Sequence, residues 1–340
     1  MADAVKPPRS AEEVLDWLEE GKVSPAEAFA LFRELDQANP QATRPREQPQ
    51  RPPAASEPGG EEAEAARKAR LAQVMQELDS LIGLESVKGL VREVQAFVEI
   101  QQRRARHRLA TGPLALHMIF KGNPGTGKTT VARIFGRMFE AMGVLPKGHM
   151  IECERADLVG EYIGHTAQKT REQVKRALGG ILFVDEAYSL ARGGERDFGK
   201  EAIDTLVKAM EDNKDQLVLI LAGYSREMEH FLQANPGLRS RFPIHIDFPD
   251  YTTDELLRIA QMMLSERDYR MTASARTRLS DLIEGALRRG EPHLGNARFV
   301  RNVIERAIRR QAVRLVGQEN LTRRDLVLIT EADFEEVTRG

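Results

Sequence analysis

The stretch Gly122-Asn-Pro-Gly-Thr-Gly-Lys128-Thr129-Thr130 decides how this chain is read. It satisfies the pattern G-x-x-x-x-G-K-[ST] at every fixed position. An apolar run, Leu116-His-Met-Ile-Phe120, precedes it, and a helical pattern, Val131-Ala-Arg-Ile-Phe-Gly-Arg-Met-Phe139, follows. A strand, a glycine-rich turn and a helix start aim several backbone N–H groups, and the positive end of a helix dipole, at one anion. Asn123, Pro124, Gly125, Thr126, Gly127 and Thr130 complete that cradle; Lys128 reaches the outer phosphates and the Thr129 hydroxyl suits Mg²⁺. This context predicts binding of a nucleoside triphosphate.

Outward from the loop, short β-rich runs alternate with helical patterns between residues 116 and 247, as in a parallel sheet with crossover helices. Strands are predicted over 116–121, 149–153, 181–184, 218–222 and 244–248. A charged helix over 61–78 and a second helix from 87 to about 108 are expected upstream. After Pro249 the pattern turns helical. A Thr252–Glu255 capping box opens a helix to about residue 267; further helices are expected near 274–289 and 297–315, and a short one after a Thr330–Asp333 cap. The fold class is therefore α/β: a three-layer αβα domain over 61–249 around a five-stranded parallel sheet, then an all-helical lid over 250–340. Residues 1–38 read as a small helical hairpin with two capping boxes, Ser10–Glu13 and Ser24–Glu27, and a docking role is expected of it. Residues 39–60 hold six of the sixteen prolines and read as a disordered linker.

The run Ile181-Leu-Phe-Val184 ends in Asp185-Glu186, the second half of a nucleotide-hydrolysis site. A buried strand beside the phosphate loop delivers two carboxylates, Asp185 for Mg²⁺ and Glu186 to orient and polarise the attacking water. The chain has 340 residues, 30% charged and 41% hydrophobic, with formal net charge −2, which argues against a dedicated nucleic-acid binder. No run of 18 apolar residues exists, and the first residues lack the apolar core of a signal peptide, so a cytoplasmic protein without a membrane span is expected. The single cysteine, Cys153, falls in a predicted strand and reads as a core residue. The basic run Arg103–Arg108 reads as a solvated helix end, with anion or RNA binding as the alternative.

Taken together, these motifs resemble the AAA+ ATPases across roughly residues 75–340. Within them the chain is similar to the branch of stage V sporulation protein K and the red-type rubisco activase CbbX, and nearest to the former. The resemblance is carried by the phosphate loop, Asp157-Leu-Val-Gly-Glu-Tyr-Ile-Gly-His-Thr166, Phe183-Val-Asp-Glu-Ala-Tyr188, Ile220-Leu-Ala-Gly-Tyr224 and Gly295-Asn-Ala-Arg298. It implies a homo-oligomer, a hexameric ring, that couples ATP hydrolysis to remodelling or threading of a protein client. On it, Arg241, or its neighbour Arg239, matches the arginine finger that meets a neighbouring subunit's nucleotide. Arg298 matches the sensor that touches phosphates in cis. Tyr162-Ile163-Gly164 matches the aromatic loop lining the central pore, with a plain structural turn as the alternative, and His165 is read as a further loop residue. Ile82 and Gly83 match the segment that wraps adenine, which implies ATP. Tyr224 stands where many relatives place asparagine or threonine, so its role as a water-positioning residue stays open. Rubisco activation is the alternative output; a DNA-translocating motor or a slow nucleotide-gated scaffold are further ones. No nucleic-acid partner is expected.

Overall fold

The structure is a computed structural model; it describes Lys22 and residues 60–112, 115–162, 164–192, 197–289 and 295–334. The expected N-terminal hairpin and linker, Lys22 and Gly60 apart, lie outside the described residues, as does Ile163. The chain divides into two units, Met1–Glu61 and Glu62–Gly340, and the sheet and the lid belong to the second.

Five strands, β1 (Met118–Gly122), β2 (Met150–Cys153), β3 (Gly180–Val184), β4 (Leu217–Gly223) and β5 (Ile244–Phe248), form one parallel sheet in the order β2-β3-β4-β1-β5. Each falls within two residues of its expected range. β3 and β4 are buried along their whole length, the pattern of strands covered on both faces. Their side chains alternate between two cores. Met118, Phe120, Ile181, Phe183, Val218, Ile220 and Ala222 enter one; Ile119, Leu182, Val184, Leu217, Leu219 and Leu221 enter the other. The period of two in a strand is what makes the domain three-layered.

On the first face pack α1 (Gly60–Ser80), α2 (Glu85–Arg106) and α3 (Lys128–Ala141). In α2 the stripe Val87, Val91, Val94 and Val98 is buried at helical spacing. Phe120 is the hub of this core: its ring lies 5.0 Å from that of Phe248, 6.2 Å from Phe135 and 6.4 Å from Phe183. The second face is covered by α4 (Arg155–Leu158), α5 (His165–Ala177), α6 (Gly199–Asp212), α7 (Ser225–Ala234) and α8 (Pro236–Arg241). Cys153 is buried there, and burial pushes its thiol pKa up to about 11.

The lid comprises α9 (Thr253–Ser265), α10 (Ala273–Arg288), α11 (Asn296–Leu315) and α12 (Arg323–Val327). The expected capping box is present: Thr252 N–H donates to the Glu255 carboxylate (2.8 Å) and Glu255 N–H to the Thr252 hydroxyl (3.3 Å). The helices carry one addition, a two-stranded parallel pair of β6 (Arg270–Met271) and β7 (Leu328–Ile329). Thr330 donates from its backbone N–H and its hydroxyl to Asp333 and starts a single 3₁₀ turn, Glu331–Phe334. Gln311 and Arg314 on α11 bond carbonyls and Asp333 of this segment, which pins it against the helix.

Candidate active site

Because all strands of the large sheet run parallel, their C-terminal ends share one edge, where open α/β sheets bind ligands. Neighbours β3, β4 and β1 deliver Asp185 and Glu186, Gly223 and Tyr224, and the phosphate loop to that edge. The lid closes over it. Between the two lies a cleft of about 420 Å³. Pro124, Gly125, Gly127, Lys128, Thr129, Thr130, Asp185, Glu186 and Tyr224 line one side; Ile259, Met262, Met263, Ala297, Arg298 and Arg301 line the other. Leu81 and Ile82, from the turn between α1 and α2, close one end.

Lys128 Nζ donates to the carbonyl oxygens of Gly122 (2.8 Å) and Asn123 (2.9 Å). Burial lowers its pKa, while the Asp185 charge opposes that shift. Gly125 sits at φ +71°, and a Cβ there would lie 2.2 Å from the Gly295 carbonyl oxygen, so only glycine lets the lid rest on the loop tip. Glu186 occupies the left-handed region at φ 46°, ψ 41°, at the head of a 3₁₀ turn, Ala187–Ala191. Holding a non-glycine residue there costs about 1–3 kcal/mol, and such strain concentrates at functional sites. The Glu186 N–H donates to the Asp185 carboxylate (2.9 Å). The Tyr224 hydroxyl has a raised pKa, first from burial and then from the charge of Glu186, so it remains a proton donor. Its ring lies 5.8 Å from that of Tyr188, whose face carries the Arg192 guanidinium at 4.5 Å.

Three residues expected to bind nucleotide stand behind the cleft wall. Gly83 lies at φ +65° against Glu255. The buried Thr126 hydroxyl donates to the Asn123 carbonyl oxygen (2.8 Å). The Asn123 side chain turns away to Asp250. Sequence reasoning missed Tyr251, whose hydroxyl donates to the Thr126 carbonyl oxygen (3.3 Å) and whose pKa burial raises to about 12. It also missed Arg133, Arg301 and the α9 face of Ile259, Met262 and Met263. An apolar helix face reads the same whether it meets a core or a ligand, so no local signal marked these three.

Thr129 and Asp185 are the donors available to a magnesium ion. Among the described residues no three or more His, Cys, Asp or Glu cluster as a metal site. This donor set fits Mg²⁺, which takes one or two protein oxygens and completes its shell with substrate phosphates and water.

Arg239 and Arg241 do not line this cleft. They lie on α8, where Arg241 Nε donates to the Glu211 carboxylate (2.5 Å) and Nη1 to the Gly237 carbonyl oxygen (3.0 Å). Tyr162 is 66% exposed. Gly164, at φ 84°, caps α5, and His165, read from sequence as a loop residue, instead opens that helix, its ring 5.5 Å edge-on from Tyr162.

Residues 118–250 match the ATPase family associated with various cellular activities (AAA), and residues 252–339 match the AAA lid domain. Over 270 residues, 79% of this chain and 84% of the relative, the chain is 56% identical to stage V sporulation protein K of Bacillus subtilis. The chain belongs to the AAA+ ATPase family. It is also 50% identical to protein CbbX of Cereibacter sphaeroides over 77% of this chain and 85% of that one. To the CfxQ homolog of Galdieria sulphuraria the figures are 47%, 80% and 90%. Among solved structures, the FIGL-1 AAA domain in complex with ADP shares the fold, at TM-score 0.51 and 19% identity over 75% of this chain and 80% of that one. The protein is thus a nucleotide-binding ATP hydrolase. No helix among its described residues is long and apolar enough to cross a membrane.

Proposed function

We propose that this ATPase forms a hexameric ring in the cytoplasm and uses Mg²⁺-dependent ATP hydrolysis to remodel or thread a protein client through a central pore. The observation that carries the reading is the separation of charges. The phosphate loop, Asp185, Glu186 and Arg298 line one cleft, while Arg239 and Arg241 stand outside it on α8. A position outside its own cleft supports the reading of Arg241 as a finger that serves a neighbour's. Mg²⁺, held by Thr129 and Asp185, would neutralise charge on the β- and γ-phosphates. Glu186 takes the proton of the attacking water, and Tyr224 donates a hydrogen bond beside it. Lys128 and Arg298 hold the outer phosphates, and Ile82 borders the adenine, with Gly83 supplying the turn behind it. Arg241 of the adjacent subunit stabilises the transition-state charge.

Tyr162, exposed ahead of a glycine hinge, has the bulk to grip an extended chain without reading its sequence. A contact path supports coupling of this loop to hydrolysis. Arg155, near its base, donates to the Ser189 carbonyl oxygen in the turn after Glu186 (2.6 Å) and to Asp197 ahead of α6 (2.6 Å). Residues 1–38, read from sequence as a helical hairpin, are proposed as the client-docking module. A sporulation-related client follows from the similarity to stage V sporulation protein K; similarity to CbbX favours rubisco as the second reading.

Mixing Glu186→Gln with Arg241→Ala subunits tests the shared site. Each variant alone should bind ATP without turning it over, while mixed rings regain part of the activity, because an intact Glu186 then meets a neighbour's intact Arg241. Full activity of Arg241→Ala alone, or no recovery on mixing, would overturn the trans arrangement.

A further inference from the structure

A polar cluster that the chemistry above does not use joins the loop tip to the lid. Asn123 Nδ2 donates to both carboxylate oxygens of Asp250, at 3.0 and 2.9 Å. From the lid, Asn296 Nδ2 donates to Asp250 Oδ1 (2.8 Å) and to the Pro124 carbonyl oxygen (3.3 Å). Asn296 Oδ1 accepts the Tyr251 N–H (3.0 Å), and the Ala297 N–H donates to the Gly125 carbonyl oxygen (3.2 Å). One carboxylate, in the connection between β5 and the lid, therefore receives an amide from each side.

Asn296 is 1% exposed and lies in the left-handed region at φ 42°. A buried non-glycine residue persists in that region only when its surroundings over-determine it. Here the side-chain bonds do so, and asparagine is among the few residues that tolerate the conformation. The strained residue opens α11, two positions before Arg298 and five before Arg301, both on the cleft wall. At the other end, the Asn123 carbonyl oxygen accepts from Lys128 Nζ (2.9 Å) and the Thr126 hydroxyl (2.8 Å). Asn123 thus touches the phosphate-binding lysine through its backbone and the lid connection through its side chain.

We propose that Asp250 and Asn296 are positioning residues for ATP hydrolysis, a carboxylate–amide latch that seats the start of α11 on the phosphate-loop tip and aims Arg298 and Arg301 into the cleft. A phosphate that draws Lys128 away from Asn123 changes the hydrogen bonding of the same residue that holds the latch. Lid position thereby follows the occupant of the loop. The proposal rests on the cleft being the hydrolytic site.

The test is a polarity swap on the full chain. Asn296→Asp keeps an acceptor for Tyr251 N–H but sets a carboxylate against Asp250, and should lower kcat at least tenfold with a smaller change in KM. Adding Asp250→Asn restores a complementary amide–carboxylate pair, with its carbonyl oxygen still open to Asn123. The double variant should recover part of kcat, short of the unaltered protein because the amide donor to the Pro124 carbonyl oxygen stays lost, a coupling that lost packing alone does not produce. If Asn296→Asp does not fold, Asp250→Asn against the double variant gives the same comparison, and the double must be the more active. Losses that simply add, or a double less active than Asp250→Asn, overturn the latch. Lys128→Ala, run alongside, separates the two failures: its normal turnover would overturn the cleft assignment and the latch with it, whereas an inactive Lys128→Ala with additive latch variants overturns the latch alone.

Discussion

Along the phosphate side of the cleft, Pro124, Gly125, Gly127, Lys128 and Thr129 are neighbours in the chain; Ile259, Met262, Ala297 and Arg298 reach the lid side from α9 and α11, with α10 between them in sequence. The first wall is mostly backbone and charge on one short segment at a strand end. The second is mostly side chains on helices whose register depends on packing. Chemistry is therefore concentrated in a stretch that local sequence can specify, while shape and affinity are spread over elements that must first be brought together.

The sharpest break of that contrast is Glu186→Gln. It should slow turnover by about 10²–10⁴-fold, the usual contribution of a general base, while ATP still binds; single-turnover assays beside equilibrium binding separate the two. Next is the footing of the phosphate wall. Phe120→Ala removes the ring at the centre of the aromatic core and should cost about 3–5 kcal/mol in urea unfolding, which shows how far the local motif depends on what lies beneath it.

His117, in the chain just before β1, gives a pH-dependent version of the same test. It is 5% exposed, its Nδ1 accepts the Leu219 N–H (3.1 Å), and burial pushes its pKa down to about 4 from the ordinary 6.5. Between those values the folded protein binds fewer protons than the unfolded chain. Stability is then full above about pH 6.5 and falls by on the order of 3 kcal/mol as pH drops towards 4. His117→Asn keeps an acceptor that does not titrate. Its unfolding free energy should lack this acid limb, measured as urea midpoints at pH 7 and 5. Smallest is the lid wall itself: Met262→Ser should raise KM for ATP several-fold, about 1 kcal/mol of lost apolar contact, with kcat unchanged. A fall in kcat instead would mean that the lid wall takes part in chemistry.

The five strands, the alternation of helices with them and the capping box at Thr252 were legible because each is written in local periodicity or in a single turn. The phosphate loop and the Asp185-Glu186 pair were legible for the same reason. Less so was the left-handed backbone of Glu186, which no residue type announces, or the turning of Asn123 away from the cleft towards Asp250. His165 was misassigned because Gly164 caps α5 one residue earlier than a loop reading allows.

Residue order alone led to the expectation that a strand ending in glycines, lysine and threonine, with a later strand ending in two acids, holds and cleaves a triphosphate. Those properties are local, since backbone N–H groups and carboxylates at strand ends point where the chain turns. The partners of Asp250, the apolar α9 face over the cleft and the Arg241–Glu211 pair depend on segments from 30 to 127 residues apart. Their distances are set by sheet order and lid packing, and no pattern within a single segment encodes them.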